Sequence, residues 1–432
     1  MTTPKPRRLL SLLVSIILFS SCVLAARSVW RIGVARLLVK YAREGVLIEP
    51  AQMAVELNPA DPETHSALGI VRYNLKDMDG ALEEFEHAAA LRPRDYFLWL
   101  QLGRARDEAG DAEGAAIALQ NAIALAPYYS EPRWQYGNVL YRRGRLDDAF
   151  AEMRRASESN PSLYPAFIDL AWSTYKGDAR ATTGVVRPWT DAQRLTLANF
   201  LAGKGKAGEA LELFRASSEI STAAREAFLV GLMKTKQFGA AYEVWAGGRD
   251  ADEGSASRGL GIITDPGFEG RINPSEAGFG WQQESAPEGI QLTVDTQGAQ
   301  TGSRSLLIEW RGHANPDATV VSQIVLVEPG TRYRLGFAAR TEDVITAGLP
   351  LVVVADASVD DERVFTGSKT LPHGTSDWQT YEAEFTAAAK TEAIIISVRR
   401  QSCEMIPCPM FGRVWLDDFS LQKLDTRSRG RA

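Results

Sequence analysis

Histidine and cysteine are scarce, with four and three respectively in 432 residues. The histidines, His65, His87, His313 and His373, fall in separate segments without the spacing of a metal-ligand set or a catalytic triad. His65 and His87 lie in helical stretches and read as surface or packing residues. There is no glycine-rich phosphate loop and no nucleophile elbow, so the familiar routes to phosphoryl and acyl transfer are missing. A non-catalytic protein is expected. Basic residues form no long block, and the formal charge is −6 with a pI near 5.5. That balance argues against a nucleic-acid partner.

Two of the three cysteines, Cys403 and Cys408, sit close together in "QSCEMIPCPM". They suit a small loop-closing disulfide, which persists only in an oxidising compartment, or else two free thiols. A zinc site there lacks two further ligands. The third, Cys22, belongs to an uncharged run from Leu9 to Ala26 behind Lys5, Arg7 and Arg8. Such a run is an export signal at the lower length limit of a membrane-spanning helix. A retained signal anchor over residues 1–29 is the preferred expectation. Cleavage after Val23-Leu24-Ala25 and lipidation at Cys22 are the alternatives. Arg27, Arg31, Arg36, Lys40 and Arg43 load the far flank too, so charge does not set the orientation. The bulk of the chain is read as exported, giving a single-pass cytoplasmic-membrane protein with periplasmic soluble domains.

At about 150 residues per domain the length allows two to three domains. Pro59, Pro93, Pro127 and Pro161 recur every 34 residues. Gly69, Gly103 and Gly137 keep that period, as do Ala81, Ala115, Ala149 and Ala88, Ala122, Ala156. A 34-residue period with small residues where paired helices approach closely resembles the tetratricopeptide repeat, a helix-turn-helix unit. The large apolar seam is Leu68, Phe85, Trp99, Leu102, Leu119, Tyr136 and Met153. Regular units are expected over about 59–161 and degenerate ones to 247, with an array spanning 30–247. "KGDARATTGVVRPW" is expected to interrupt the fourth unit. The resemblance implies a protein partner on the inner surface, contacted by Trp134, Asn138, Tyr141, Arg142, Trp172, Tyr175 and Lys176, unless these pack within the array.

Residues 248–261 are small and polar and read as a linker. Beyond them, eight short runs rich in Val, Ile, Tyr and Trp, from "IQLTVD" to "GRVWLDDFSL", alternate in and out between turns. They indicate an all-β antiparallel sandwich, followed by a tail at 425–432. The succession "DPGFEG", "GFGWQ", "EPGTRYRLGFAAR", "SDWQTYEAEFTA" and "VWLDDFSL" resembles the jelly-roll carbohydrate-binding modules of the galactose-binding-domain-like superfamily, over 262–424. The resemblance implies glycan binding and a structural calcium near the meeting of the domain's ends. Its acid ligands map to Glu269 and Asp418, aided by backbone oxygens of Gly302-Ser303. Strand alternation places Asp417 and Asp418 on opposite faces, so a two-carboxylate active site is not expected. Candidate glycan contacts are Trp281, Trp310, Trp378, Arg340 and Arg399, with Trp378 and Trp415 also fitting core-packing positions. The combination points to a membrane-tethered scaffold that binds a protein through the repeats and a glycan through the sandwich. An accessory role in cell-surface polysaccharide assembly or export follows by analogy. The alternatives are a pure protein scaffold and a glycan-processing hydrolase.

Overall fold

The computed structural model describes residues 6–248, 259–270, 277–283, 289–312, 319–401, 403 and 408–424. The expected linker falls largely outside these residues, as does the tail. Contacts divide the chain into two compact units, Met1–Arg187 and Pro188–Ala432.

The described residues of the first unit form helices joined by short turns. Helix α1 (Pro6–Gly45) contains, from Leu13 to Gly45, a stretch long and apolar enough to cross a membrane by length and composition. Its last third changes character. Ala35, Val39 and Ala42, at helical spacing, turn inward against α2 (Ile48–Leu57) and α3 (Pro62–Asn74), where Ala51, Ala54, Ala67 and Leu68 complete the seam. One unbroken helix therefore carries the membrane-type segment and the first helix of the array.

Hairpins follow: α3 with α4 (Met78–Leu91), α5 (Tyr96–Glu108) with α6 (Ala112–Leu125), α7 (Ser130–Arg142) with α8 (Leu146–Ser159), and α9 (Tyr164–Thr174) with α10 (Ala179–Val186). Caps repeat with the period. Asp61 and Asp95 accept from the second backbone N–H of α3 and α5, while Asp77 and Asp111 start α4 and α6. A Cβ added at Gly69, Gly103 or Gly137 would come within 2.8, 2.6 and 2.8 Å of Phe85, Leu119 and Met153. Only glycine permits that helix spacing. Adjacent units are tied by Ser66 Oγ donating to Gln101 Oε1 at 2.8 Å, and by the Tyr73–Glu108 and Arg142–Asp107 pairs. The stretch expected to interrupt the fourth unit instead supplies α10. Burial of Ala179, Thr182 and Val186 outweighs its weak helix propensity.

The second unit opens with two degenerate hairpins, α11 (Asp191–Gly203) with α12 (Ala207–Arg215) and α13 (Thr222–Lys234) with α14 (Phe238–Ala246). Ala210 and Phe214 are buried, and Phe214 stacks on Phe228 at 4.7 Å. The sandwich comprises β1 (Ile290–Asp295), β2 (Ser305–Gly312), β3 (Val321–Leu326), β4 (Arg332–Thr346), β5 (Pro350–Asp356), β6 (Arg363–Gly367), β7 (Gly374–Thr386), β8 (Ala393–Arg400) and β9 (Met410–Lys423). Strand β6 was not among the expected runs. All pairings are antiparallel, in the orders β1-β2-β9-β4-β7 and β3-β8-β5-β6. Inward residues such as Leu306, Ile308, Leu335, Phe337, Val352, Ile394, Val414 and Leu416 form one core between the sheets. The last strand lies in the middle of its sheet, and the domain's opening segment laces onto it: Phe419 N–H donates to Pro266 O at 2.9 Å.

Candidate functional site

Near its C-terminal end β9 carries a bulge. Gly336 pairs with Ser420 but Ala338 pairs with Asp417, so three residues of β9 advance against two of β4. Asp418 occupies the left-handed region, at φ 52°. The bulge breaks the expected alternation, and both aspartates reach the 300–301 loop. Asp417, fully buried, accepts backbone N–H bonds from Gln300 (2.8 Å), Thr301 (3.1 Å) and Asp418 (2.8 Å). Asp418 accepts from the Thr301 hydroxyl. From the opening motif, Glu269 grips the next residues of the loop. Its Oε1 accepts from Ser303 N (2.6 Å) and Arg304 N (3.1 Å), and its Oε2 from Ser303 Oγ (2.6 Å). The Ser303 hydroxyl and amide hold Glu269 below the usual carboxylate range, whereas burial pushes Asp417 above it.

Calcium takes six or more oxygen ligands, and here the loop turns backbone N–H and hydroxyl donors toward Glu269, Asp417 and Asp418. Loop donors engage both oxygens of Glu269 and Oδ2 of Asp417, while Asp417 Oδ1 accepts from the Asp418 amide. Glu269 and Asp418, expected as ligands of one ion, each bind the loop directly. The two ends of the domain are clamped to the 300–304 loop through hydrogen bonds.

Two of the expected sugar platforms are corrected. Trp281 is 4% exposed and Trp310 2%, so neither ring can stack on a ligand. Trp281 packs with Phe268 and Phe419 and donates to Asp265 O at 3.0 Å. Trp310 shares the inward parity of Leu306 and Ile308. Trp378, on β7, is half-buried. Arg399 is paired with Glu362 and donates to Ser397 Oγ at 2.8 Å. It lines a cleft of about 350 Å³ with Met233, Lys236, Phe238 and Asp360, where Lys236 and Asp360 pair at 2.8 Å.

Arg340 lies elsewhere, on the outer face of the five-stranded sheet. Its guanidinium sits 4.0 Å above the Trp415 ring centroid, and that of Arg413 lies 5.6 Å from the same ring. Trp415 Nε1 donates to Asp295 Oδ2 at 2.6 Å, and Arg413 pairs with Glu342. An amide N–H from Gln297 holds Asp295 below its ordinary pKa, which keeps the acceptor ionised. The result is a rigid planar donor with a fixed acceptor beside it, suited to pairs of sugar hydroxyls. Trp415 points to the outer face between inward Val414 and Leu416 but is 3% exposed, so its ring braces the Arg340 guanidinium and cannot itself stack on a ligand, which agrees with the core-packing position expected for it.

In the repeats, Trp134, Asn138, Tyr141 and Arg142 belong to α7 and Trp172 to α9; Tyr175 and Lys176 follow α9. Trp134 and Asn138 are half-buried one turn apart, and Lys176 is exposed. Tyr141 and Tyr175 serve packing. Both rings lie about 6 Å from Phe150, and the Tyr141 hydroxyl meets Thr174 Oγ1 at 3.0 Å. Arg142 is committed to Asp107. Cys403 and Cys408 are joined as a disulfide, the intervening residues 404–407 lying outside those described; Cys22 is a free thiol on α1.

Residues 261–404 match a family model described as a carbohydrate binding domain. Among solved structures, the helical part is similar to pilF from Pseudomonas aeruginosa, at 19% identity over 52% of this chain and 100% of that one, with a TM-score of 0.33. It is also similar to MamA from Desulfovibrio magneticus RS-1, at 15% identity over 44% and 92% of the two chains and a TM-score of 0.29. Comparison with curated proteins returned no match. The chain thus joins helical hairpins recurring with a 34-residue period to an antiparallel jelly-roll sandwich, most of which lies within the segment matched by the carbohydrate binding domain model.

Proposed function

We propose that this protein is a membrane-tethered, non-catalytic adaptor whose repeats hold a protein partner and whose sandwich binds a polysaccharide. In this reading α1 is a single-pass anchor in the cytoplasmic membrane, the remainder is periplasmic, and the assembly serves polysaccharide assembly or export at the cell surface. The observation that carries the glycan half is the Arg340–Trp415–Asp295 arrangement on the outer sheet face, within the segment matched by the carbohydrate binding family. The disulfide fits an oxidising compartment. Trp134, Asn138 and Lys176 are the contacts left available to a partner on the third and fourth units.

The test is affinity electrophoresis of the full-length, detergent-solubilised protein through gels containing bacterial polysaccharides. Retardation by at least one polysaccharide is expected, with Arg340→Ala weakening binding about tenfold, or about 1.4 kcal/mol. Absence of retardation by every polysaccharide, with partner capture from membranes intact, establishes the pure scaffold instead. The clamp at the domain ends is proposed to work without an ion. Millimolar calcium added to the metal-stripped chain should therefore leave its melting temperature unchanged, and a rise of several degrees would refute an ion-free clamp.

A further inference from the structure

We propose that His65, Glu84 and His87 form a binding site for a divalent transition metal, zinc being the best match, in the first complete hairpin of the array. Glu84 and His87, three residues apart on α4, share one helix face, and His65 meets them from α3. One ligand atom from each lies within 4.8 Å of the other two. The closest pair is His65 Nδ1 and Glu84 Oε2, 2.7 Å apart, and the two imidazole centroids are separated by 5.4 Å.

The surroundings prepare these atoms for a cation. His65 Nε2 lies 2.9 Å from the Pro59 carbonyl, an acceptor only, so that nitrogen carries a proton. In the neutral ring Nδ1 is then a lone pair, aimed at a carboxylate oxygen that is also a lone pair. Something positive must sit between them: a proton fits the 2.7 Å contact as it stands, and a metal ion fits once the contact opens slightly. Hydrogen bonding of the remote ring nitrogen to a backbone carbonyl is also how metal-bound histidines are oriented. Arg72 Nη1 approaches Glu84 Oε1 at 3.6 Å, on the oxygen away from His65, and its charge weakens but does not block a cation held at Oε2.

The scale of rearrangement is small. Zinc ligands at about 2.0–2.1 Å in a tetrahedron stand about 3.3 Å apart. Binding opens the 2.7 Å contact by less than an ångström and draws in His87, which is exposed and free to change rotamer. His65 and Glu84 are buried and form the floor, and His87 stands at the solvent side, where the ion enters. Two imidazoles and one carboxylate are a known zinc set, with the fourth position left for water or an incoming ligand. Here it would face solvent and clip α3 to α4.

The experiment is calorimetric titration of the full-length, metal-stripped protein in detergent with Zn²⁺ alone, beside His87→Gln and Glu84→Gln. One zinc per chain is expected. His87→Gln alters an exposed side chain and should keep the helical circular dichroism unchanged. It should weaken binding by no less than the roughly 10–100-fold seen for lost outer-shell partners. Co²⁺ should give ligand-field absorption in the wild type and none in His87→Gln. Failure of the wild type to take up stoichiometric zinc, or equally tight uptake by His87→Gln, overturns the site.

Discussion

At Gly103 the difference between a hydrogen and a methyl group decides how near α5 lies to α6. Gly103→Val drives its branch into Leu119 and should cost about 1–3 kcal/mol, read as a lower melting temperature in far-ultraviolet circular dichroism. This position was legible because a distance constraint leaves a mark every 34 residues. Single residues outside the period were harder. His65 and His87 are 22 positions apart, and only the folded hairpin shows that the Glu84-to-His87 spacing has a third member. Trp310 was readable, since its parity with Leu306 and Ile308 points inward, yet a tryptophan at a strand end invites a binding role. Glu269 carries a pH signature. Its pKa is held below the ordinary 4.5, so the stability it supplies is complete above about that value and is lost as the pH falls through the lowered one. Asp417 works the other way: burial raises its pKa above 3.8, so the folded state takes up that proton first and gains relative to the unfolded one as the pH falls. Glu269→Gln should therefore show a shallower loss of melting temperature between about pH 5 and pH 3 than the wild type.

Among elements, β9 shows where period-two reasoning fails. The bulge at 417–420 adds one residue, turns both carboxylates toward a single loop, and leaves Asp417 with three N–H donors. Asp417→Asn replaces one of the two acceptor oxygens with an amino group, which must then face at least one of those N–H donors. It should cost about 1–3 kcal/mol, measured as a lower unfolding midpoint of the sandwich by tryptophan fluorescence. Helix α10 was hidden by Gly184 and by its β-branched residues, and its existence depends on burial that no local propensity records. Strand β6 is short, polar and at the edge of its sheet, so it lacks the hydrophobic alternation that marks its neighbours. The eight other strands and the regular hairpins were legible because burial on one face imposes a fixed period.

For the whole molecule, what composition and spacing convey is the succession of parts; what they omit is how the parts are joined. In α1 the joint is a continuous helix, since Ala35, Val39 and Ala42 pack into the array on the same rod that bears the apolar segment. A chain beginning at Arg31 keeps that seam and should remain helical and soluble. One beginning at Leu47 exposes Ala51, Ala54 and Leu68 and should aggregate, as size-exclusion chromatography would show. With α1 anchored as proposed, the array has no swivel. Its bearing about the bilayer normal is then set by residue count, and each residue inserted between Trp30 and Ala35 would turn the first hairpins by about 100° and lift them about 1.5 Å. The length of a helix becomes a compass setting for whatever the repeats hold.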